Sequence, residues 1–145
     1  MVKEKYNVIG VMSGTSLDGV DLSHIQFTIK NNKWSFEIFE SETISYPENW
    51  VNSLKAAVDF SPIKLEKLNH DYTILLAEII ATFIQKHTIQ NLDAVCSHGH
   101  TILHQPQNGF TLQIGNLPNL ASLLNQTVIC DFRVQDVALS LIHIS

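Results

Sequence analysis

The sequence predicts an α/β protein built on a mixed sheet. Near the amino end, apolar residues alternate with polar ones in short runs, which is typical of strands with one buried face. Over residues 65–88, apolar residues recur at three- and four-residue steps, as in an amphipathic helix laid along a sheet. Short apolar runs then alternate with a further helical segment. This order favours one domain with helices on the faces of its sheet.

The composition is that of a globular domain with an acidic balance. Its 145 residues are 45% hydrophobic and 16% charged, with a formal net charge of −5. Because nucleic-acid binding depends on clustered Lys and Arg, no nucleic-acid partner is expected. The first apolar run is short and leads into a polar loop, so neither an export signal nor a membrane span is predicted. Without such a signal, Cys96 and Cys130 indicate reduced thiols of a cytoplasmic protein.

The first forty residues are predicted to form a three-stranded antiparallel meander. Residues 6–12 and 20–29 are its first two strands, and a change of phase near Ser23-His24 indicates a bulge in the second. Asn31-Asn32 favours a hairpin turn, after which Trp34, Phe36 and Ile38 alternate with polar residues in the third strand.

The rest of the chain alternates helices with strands. The predicted elements are a helix over 48–60, the long helix, a strand over 93–97, an extended segment over 110–115, a helix opened by Pro118 and a strand over 127–130. Polar residues follow two of these strands, as a loop at 97–101 and again from residue 131. Ligands of open sheets bind beyond the carboxyl ends of the strands, so both segments are candidate binding positions.

The stretch 10–21, Gly-Val-Met-Ser-Gly-Thr-Ser-Leu-Asp-Gly-Val-Asp, has the composition of a loop that can surround a phosphate. Gly14 and Gly19 permit a positive φ and a close backbone approach, and the hydroxyl residues around them offer donors to anionic oxygens. Asp18-Gly19 is a hairpin signal, so the chain should return as an antiparallel strand. A Walker loop and a dinucleotide fingerprint are both excluded by their missing residues. Composition alone also fits a plain solvated turn.

Two other polar clusters invite a chemical interpretation. His98, His100 and His104, with Cys96 nearby, raise the question of a zinc site. Alternate residues of a strand point to opposite sides, and no Cys-x-x-Cys or helical His pair completes four ligands, so the spacing fits zinc poorly. Polar residues that merely end a strand are the simpler alternative. The second cluster is Asp131, Arg133 and Asp136. The guanidinium group of Arg133 can bind a carboxylate or hydroxyl through its planar fork, or it can bridge the two aspartates as a structural ion pair.

The string Met-Ser-Gly-Thr-Ser-Leu-Asp-Gly-Val-Asp at 12–21 resembles the ATP-binding signature of the anhydro-N-acetylmuramic acid kinases, bacterial sugar kinases of the actin/hexokinase-like superfamily. Ser-His-Gly-x-Thr at 97–101, Thr-Leu-Gln-Ile-Gly-Asn at 111–116 and Asp-Phe-Arg-x-x-Asp-Val-Ala at 131–138 match the same family. The resemblance implies a ribonuclease H-like lobe of that superfamily, with a mixed sheet that starts in an antiparallel meander. It also implies that ATP is bound by Gly14, Thr15, Ser16, Leu17, Asp18, Gly19, Val20 and Asp21.

The resemblance assigns further residues to the substrate and to a metal ion. Mg²⁺ would be held by Asp18 and Asp21, directly or through water, although a turn aspartate and an exposed strand aspartate would look the same in sequence. His100 stands where many relatives carry Gln. The two amides Gln113 and Asn116 are expected to be structural. The residues implied to bind the sugar are His98, Thr101, Asp131, Arg133 and Asp136.

The implied reaction uses ATP and water to convert 1,6-anhydro-N-acetylmuramic acid to N-acetylmuramic acid 6-phosphate, in peptidoglycan recycling. The family's catalytic aspartate belongs to a later motif, which is expected beyond Ser145, so no catalytic residue is assigned within this sequence. Residues 1–138 are therefore expected to be an incomplete N-terminal ATP- and sugar-binding lobe without its C-terminal lobe, inactive alone and poorly soluble. Residues 139–145 depart from the family's glycine-rich continuation and are expected to be a foreign tail.

The sequence alone also fits other functions. Another sugar kinase or a phosphatase of the same superfamily would share a glycine-rich hairpin, and a non-catalytic nucleotide- or sugar-binding module would need no second lobe. The expected partners are small molecules, with no membrane partner, and a homodimer of the full-length protein is left open.

Overall fold

The computed structural model describes residues 3–13, 17–105 and 110–130 of the chain. The predictions for Gly14, Thr15 and Ser16, and for the side chain of His104, lie outside the described residues or side chains. So do those for everything from Asp131 to Ser145, which include Arg133, Asp136, the tail 139–145 and the placement of the catalytic motif beyond Ser145.

The described chain alternates strands and helices in the predicted order. The elements are β1 (Lys5–Ser13), β2 (Val20–Lys30), β3 (Lys33–Ile44), α1 (Glu48–Ala56) with a 3₁₀ turn (Ala57–Asp59), α2 (Pro62–Lys86), β4 (Ala94–Gln105), β5 (Phe110–Ile114), α3 (Asn119–Leu124) and β6 (Val128–Ile129).

The strands form one mixed sheet in the order β3-β2-β1-β4-β5, with β6 also paired to β4. β1, β2 and β3 are antiparallel neighbours, which confirms the meander, and the register shifts between His24 and Ile25 at the predicted bulge. β4 lies parallel to both β1 and β6, and antiparallel to β5. The predicted α/β class is confirmed.

α2 is the helix that closes the core. Ser61 caps it by accepting a hydrogen bond from the Lys64 amide at 3.3 Å, and Pro62 occupies the first turn, so the helix begins three residues before the apolar periodicity does. Its buried face packs on the sheet. The core includes Ile9, Val11, Val20, Leu22, Leu68, Tyr72, Leu76, Ile80, Phe83, Val95 and Ile114.

The opposite face of the sheet is open on its β3 side. β3 is an edge strand, and Trp34 and Phe36 are 64% and 67% exposed there. With Tyr6, Phe27 and Ile129 they line a shallow apolar groove. Within the described residues, no helix is both long and apolar enough to cross a bilayer.

The prediction of a polar loop at 97–101 is wrong. β4 runs through this segment and on to Gln105, because its backbone pairs with β1 on one side and with β5 on the other. His100 is the residue where the two ladders meet, since it pairs with both Ser13 and Ile114. Polar residues after an apolar run are typical of a strand end, but here they continue the strand and are buried within it.

Gly115, directly after β5, brings the sheet close to α2. Its φ is +93°, and a Cβ at this position would lie 2.8 Å from the Tyr72 ring. Its amide donates to Asn69 Oδ1 at 2.7 Å. A glycine is required here by both the backbone conformation and the space.

Candidate functional site

β1 and β6 run parallel to β4 and both end beside its middle, so their carboxyl ends point towards the same edge of the sheet. Ser13, the last residue of β1, pairs with His100, so the glycine-rich connection starts beside the 97–101 segment. Ile129 pairs with Cys96, so the chain also leaves β6 next to this segment. Ser13 and Ile129, which precede the first and the third polar stretch, therefore both pair with β4 within or beside residues 97–101.

The connection between β1 and β2 comprises residues 14–19 and is longer than the two-residue hairpin suggested by Asp18-Gly19. The predicted antiparallel return is confirmed. Gly19 has a φ of +148°, and a Cβ there would lie 2.2 Å from the carbonyl oxygen of Ile44. The backbone at Gly19 therefore packs closely against the backbone of β3. Val20 is fully buried in the core, which leaves only its backbone for a ligand, and Leu17 is half-buried.

Of the two carboxylates proposed for Mg²⁺, Asp18 lies in this connection and Asp21 is the second residue of β2; both are exposed. Asp21 Oδ1 accepts a hydrogen bond from Thr43 Oγ1 at 2.5 Å. Within the described ranges, no group of three or more His, Cys, Asp or Glu side chains could hold a metal ion. Mg²⁺ commonly takes one or two carboxylates and completes its shell with water and phosphate oxygens, and exposed carboxylates are ligands of the type that it uses.

A buried hydrogen-bond network lies at the start of the connection. Ser13 Oγ is 2.9 Å from His100 Nδ1 and is also hydrogen-bonded to Tyr46 Oη, which is 2.6 Å from Tyr72 Oη. Each of the four side chains is at most 8% exposed. Sequence reasoning missed this network. One signal was available, because a tyrosine on the core face of a helix needs a partner for its hydroxyl.

All four members of the network are uncharged at neutral pH. Burial, together with a smaller effect of the neighbouring His98, lowers the pKa of His100 from 6.5 to about 4. Burial raises the pKa of Tyr46 and raises that of Tyr72 well above 10. The imidazole packs against both phenol rings, with ring centroids 6.4 Å and 5.9 Å away.

His98 and Thr101, the two described sugar-binding candidates, are both buried in β4. Gln113 Nε2 donates to the His98 carbonyl at 2.9 Å and lies 3.4 Å from Thr101 Oγ1. Asn116 Nδ2 donates to the same carbonyl at 3.4 Å. These amides hold the backbone of β4, which fits the structural role expected of them. Ser97 Oγ is fully buried and has no hydrogen-bond partner among the described residues.

A mixed open sheet with a glycine-rich connection after its first strand, and polar residues on the neighbouring parallel strand, has the architecture of the actin/hexokinase-like ATPases. The family model for anhydro-N-acetylmuramic acid kinase matches residues 6–140. The chain belongs to this family.

Curated relatives agree with this assignment. The anhydro-N-acetylmuramic acid kinase of Mannheimia succiniciproducens is 38% identical over 96% of this chain and 37% of its own length. Those of Chromobacterium violaceum and Rhodopseudomonas palustris are 37% and 35% identical, each over 90% of this chain and 36% and 38% of their own lengths. The chain therefore spans little more than a third of the length of these relatives.

Proposed function

We propose that the full-length protein is an ATP-dependent kinase that converts 1,6-anhydro-N-acetylmuramic acid and water to N-acetylmuramic acid 6-phosphate during peptidoglycan recycling. One observation carries the proposal: Ser13 pairs with His100, so the connection expected to bind ATP starts beside the segment expected to bind the sugar. The names of the relatives supply the substrate class.

In this proposal the β1–β2 connection binds the triphosphate, through backbone amides and hydroxyls around Asp18 and Gly19. Mg²⁺ at Asp18 and Asp21 would neutralise negative charge on the phosphates. The sugar would lie against His98 and Thr101. The further sugar ligands proposed are Asp131, Arg133 and Asp136.

The 145-residue chain is proposed to bind these ligands without turning them over. The described residues include no carboxylate that we assign as the general base for water, and we propose that the full-length protein supplies this base from a motif after Ser145. Kinases with two lobes exclude bulk water by closing a cleft, and this chain covers 36–38% of the relatives named above. That share of the length favours a second candidate for the chain as it stands, a non-catalytic ligand-binding module.

Titration calorimetry on the 145-residue chain tests the proposed ligands. We expect the wild-type chain to bind anhydro-N-acetylmuramic acid, and His98→Ala to weaken that binding. His70→Ala is the matched control because His70 is exposed on α2, and it should bind like the wild type. If the wild-type chain binds neither the sugar nor ATP with Mg²⁺, the proposed function is contradicted for this chain. Steady ADP release in the presence of the sugar would contradict the proposed inactivity.

A further inference from the structure

We propose that His100 recognises ligand through its Nε2–H group, which donates a hydrogen bond to an oxygen atom of the molecule bound at this edge of the sheet. The inference deepens the proposed function and rests on it for the identity of the ligand. It is drawn from the direction of the buried hydrogen-bond network and from the one ring nitrogen that the network does not use.

The network has a direction because each hydroxyl carries one proton. Tyr72 is fully buried, and the one side-chain acceptor within hydrogen-bonding geometry of its hydroxyl, among the described residues, is Tyr46 Oη at 2.6 Å. If Tyr72 donates to Tyr46, then Tyr46 donates to Ser13 and Ser13 donates to His100 Nδ1, so every hydroxyl proton is used. In the reverse direction the hydroxyl proton of Tyr72 would have no side-chain acceptor in hydrogen-bonding geometry among the described residues, which is unfavourable.

The direction fixes the tautomer of His100. Nδ1 accepts from Ser13, and a neutral imidazole has a single ring proton, which must then reside on Nε2. The pKa of about 4 keeps the ring neutral at pH 7. The titratable groups facing the ring are His98 on the same strand, Tyr46 before α1 and Tyr72 on α2, and the one described hydrogen bond of the ring is that of Nδ1 with Ser13.

His100 therefore presents a donor that the described residues leave unsatisfied. His100 is 2% exposed, its one described hydrogen bond is made through Nδ1, and Nε2 is not among the fully buried atoms that lack a partner, so this nitrogen can be reached from outside the described chain. Another polar atom of the same segment, Ser97 Oγ, is fully buried without a partner among the described residues. Buried polar groups are normally satisfied, so an accessible donor beside this hydroxyl indicates that something other than the described chain contacts the segment.

The expected acceptor is an oxygen of a small ligand. Ser13, which fixes the ring, is the residue at which the glycine-rich connection begins, and His100 lies within the segment proposed to contact the sugar. Phosphate oxygens of ATP and hydroxyl or carboxylate oxygens of the sugar are both suitable acceptors. A neutral donor binds either without requiring a change of protonation.

The tautomer is tested directly by long-range ¹H–¹⁵N NMR on the uniformly labelled 145-residue chain at pH 7. The signals of His100 are assigned by their loss in His100→Gln. We expect the shifts of a protonated Nε2 and an unprotonated Nδ1. A protonated Nδ1, or a fully protonated ring, would overturn the inference whatever the chain binds.

Two substitutions test recognition by calorimetry, with ATP and Mg²⁺ in one arm and anhydro-N-acetylmuramic acid in the other. His100→Gln keeps an N–H donor at about the position of Nε2, whereas His100→Phe keeps a ring without any donor. We expect His100→Phe to weaken binding roughly fivefold to tenfold in the arm whose ligand accepts the bond, as for the loss of one hydrogen bond. His100→Gln should stay within about threefold of the wild type.

The arms also separate the possible failures. Loss confined to the sugar arm assigns the acceptor to the sugar, and loss confined to the ATP arm assigns it to a phosphate. Wild-type affinity of His100→Phe for both ligands would overturn the inference, as would equal losses in both substitutions. If the wild-type chain itself binds neither ligand, the proposed function fails and the ligand role of His100 falls with it.

Discussion

Replacing Ser13 by alanine is expected to destabilise the chain more than any other loss of a single hydroxyl oxygen from the network. Ser13 Oγ is the central atom of that network, bonded to both Tyr46 and His100, and the side chain is 2% exposed. The substitution removes two hydrogen bonds, each worth about 1 kcal/mol, and leaves two buried polar groups with one partner fewer. We therefore expect a loss of roughly 2–4 kcal/mol in the free energy of unfolding.

Urea and thermal unfolding, followed by far-UV circular dichroism, measure this loss. For a chain of this size the expected decrease in Tm is roughly 8–15 °C. Ser23→Ala is the matched control, because Ser23 Oγ makes an exposed hydrogen bond to Ser41 Oγ at 2.9 Å on the same sheet. The control should change stability by no more than about 0.5 kcal/mol. Should Ser13→Ala prove no more costly than Ser23→Ala, the buried network would be refuted as a source of stability.

Three further predictions concern stability, pH and the surface. Gly115→Ala should lower the free energy of unfolding in urea by about 2–4 kcal/mol, because φ is +93° and the new Cβ would lie 2.8 Å from a core tyrosine ring. Gly10→Ala is the control, because its Cβ would meet nothing closer than 4.0 Å, and it should change this free energy little. The pKa of His100 falls from 6.5 in the unfolded chain to about 4 in the folded one. The stability that the neutral ring contributes is therefore complete above pH 6.5, and the free energy of unfolding decreases by about 3 kcal/mol as the pH falls towards 4. The stability of His100→Gln, measured over the same pH range, should depend less on pH; an unchanged slope would contradict this assignment. Joint replacement of Trp34 and Phe36, 64% and 67% exposed, by serine should lower light scattering and the fluorescence of a bound hydrophobic dye without lowering the urea midpoint appreciably. Undiminished dye binding would show that another surface is responsible.

Local patterns were sufficient to predict most elements of the fold. The alternation of residues 20–29 and the helical period of residues 65–88 each reflect one buried face, which a single sequence records directly. The course of β4 could not be predicted in this way. Polar residues at 97–101 are typical of a loop, and they lie in a strand only because β1 and β5 pair with both of its edges.

The candidate site was predicted by motif and not by geometry. The glycine-rich connection and the 97–101 segment were both proposed from sequence, and β-sheet pairing brings their starting points together. The network of Ser13, Tyr46, Tyr72 and His100 was missed, because its members come from four different parts of the chain. Contacts at such separation leave no periodic signal in one sequence, so they follow only from the assembled sheet and α2.

The proposed function requires that ligands bind at one edge of the sheet, beside Ser13 and residues 97–101. Backbone amide NMR of the 145-residue chain, recorded with and without anhydro-N-acetylmuramic acid and ATP with Mg²⁺, tests this claim. We predict that the largest shift changes fall at Ser13 and in residues 17–21 and 97–101. Changes concentrated instead on Trp34 and Phe36, which pair with the carboxyl-terminal half of β2 and so lie away from residues 17–21, would contradict it.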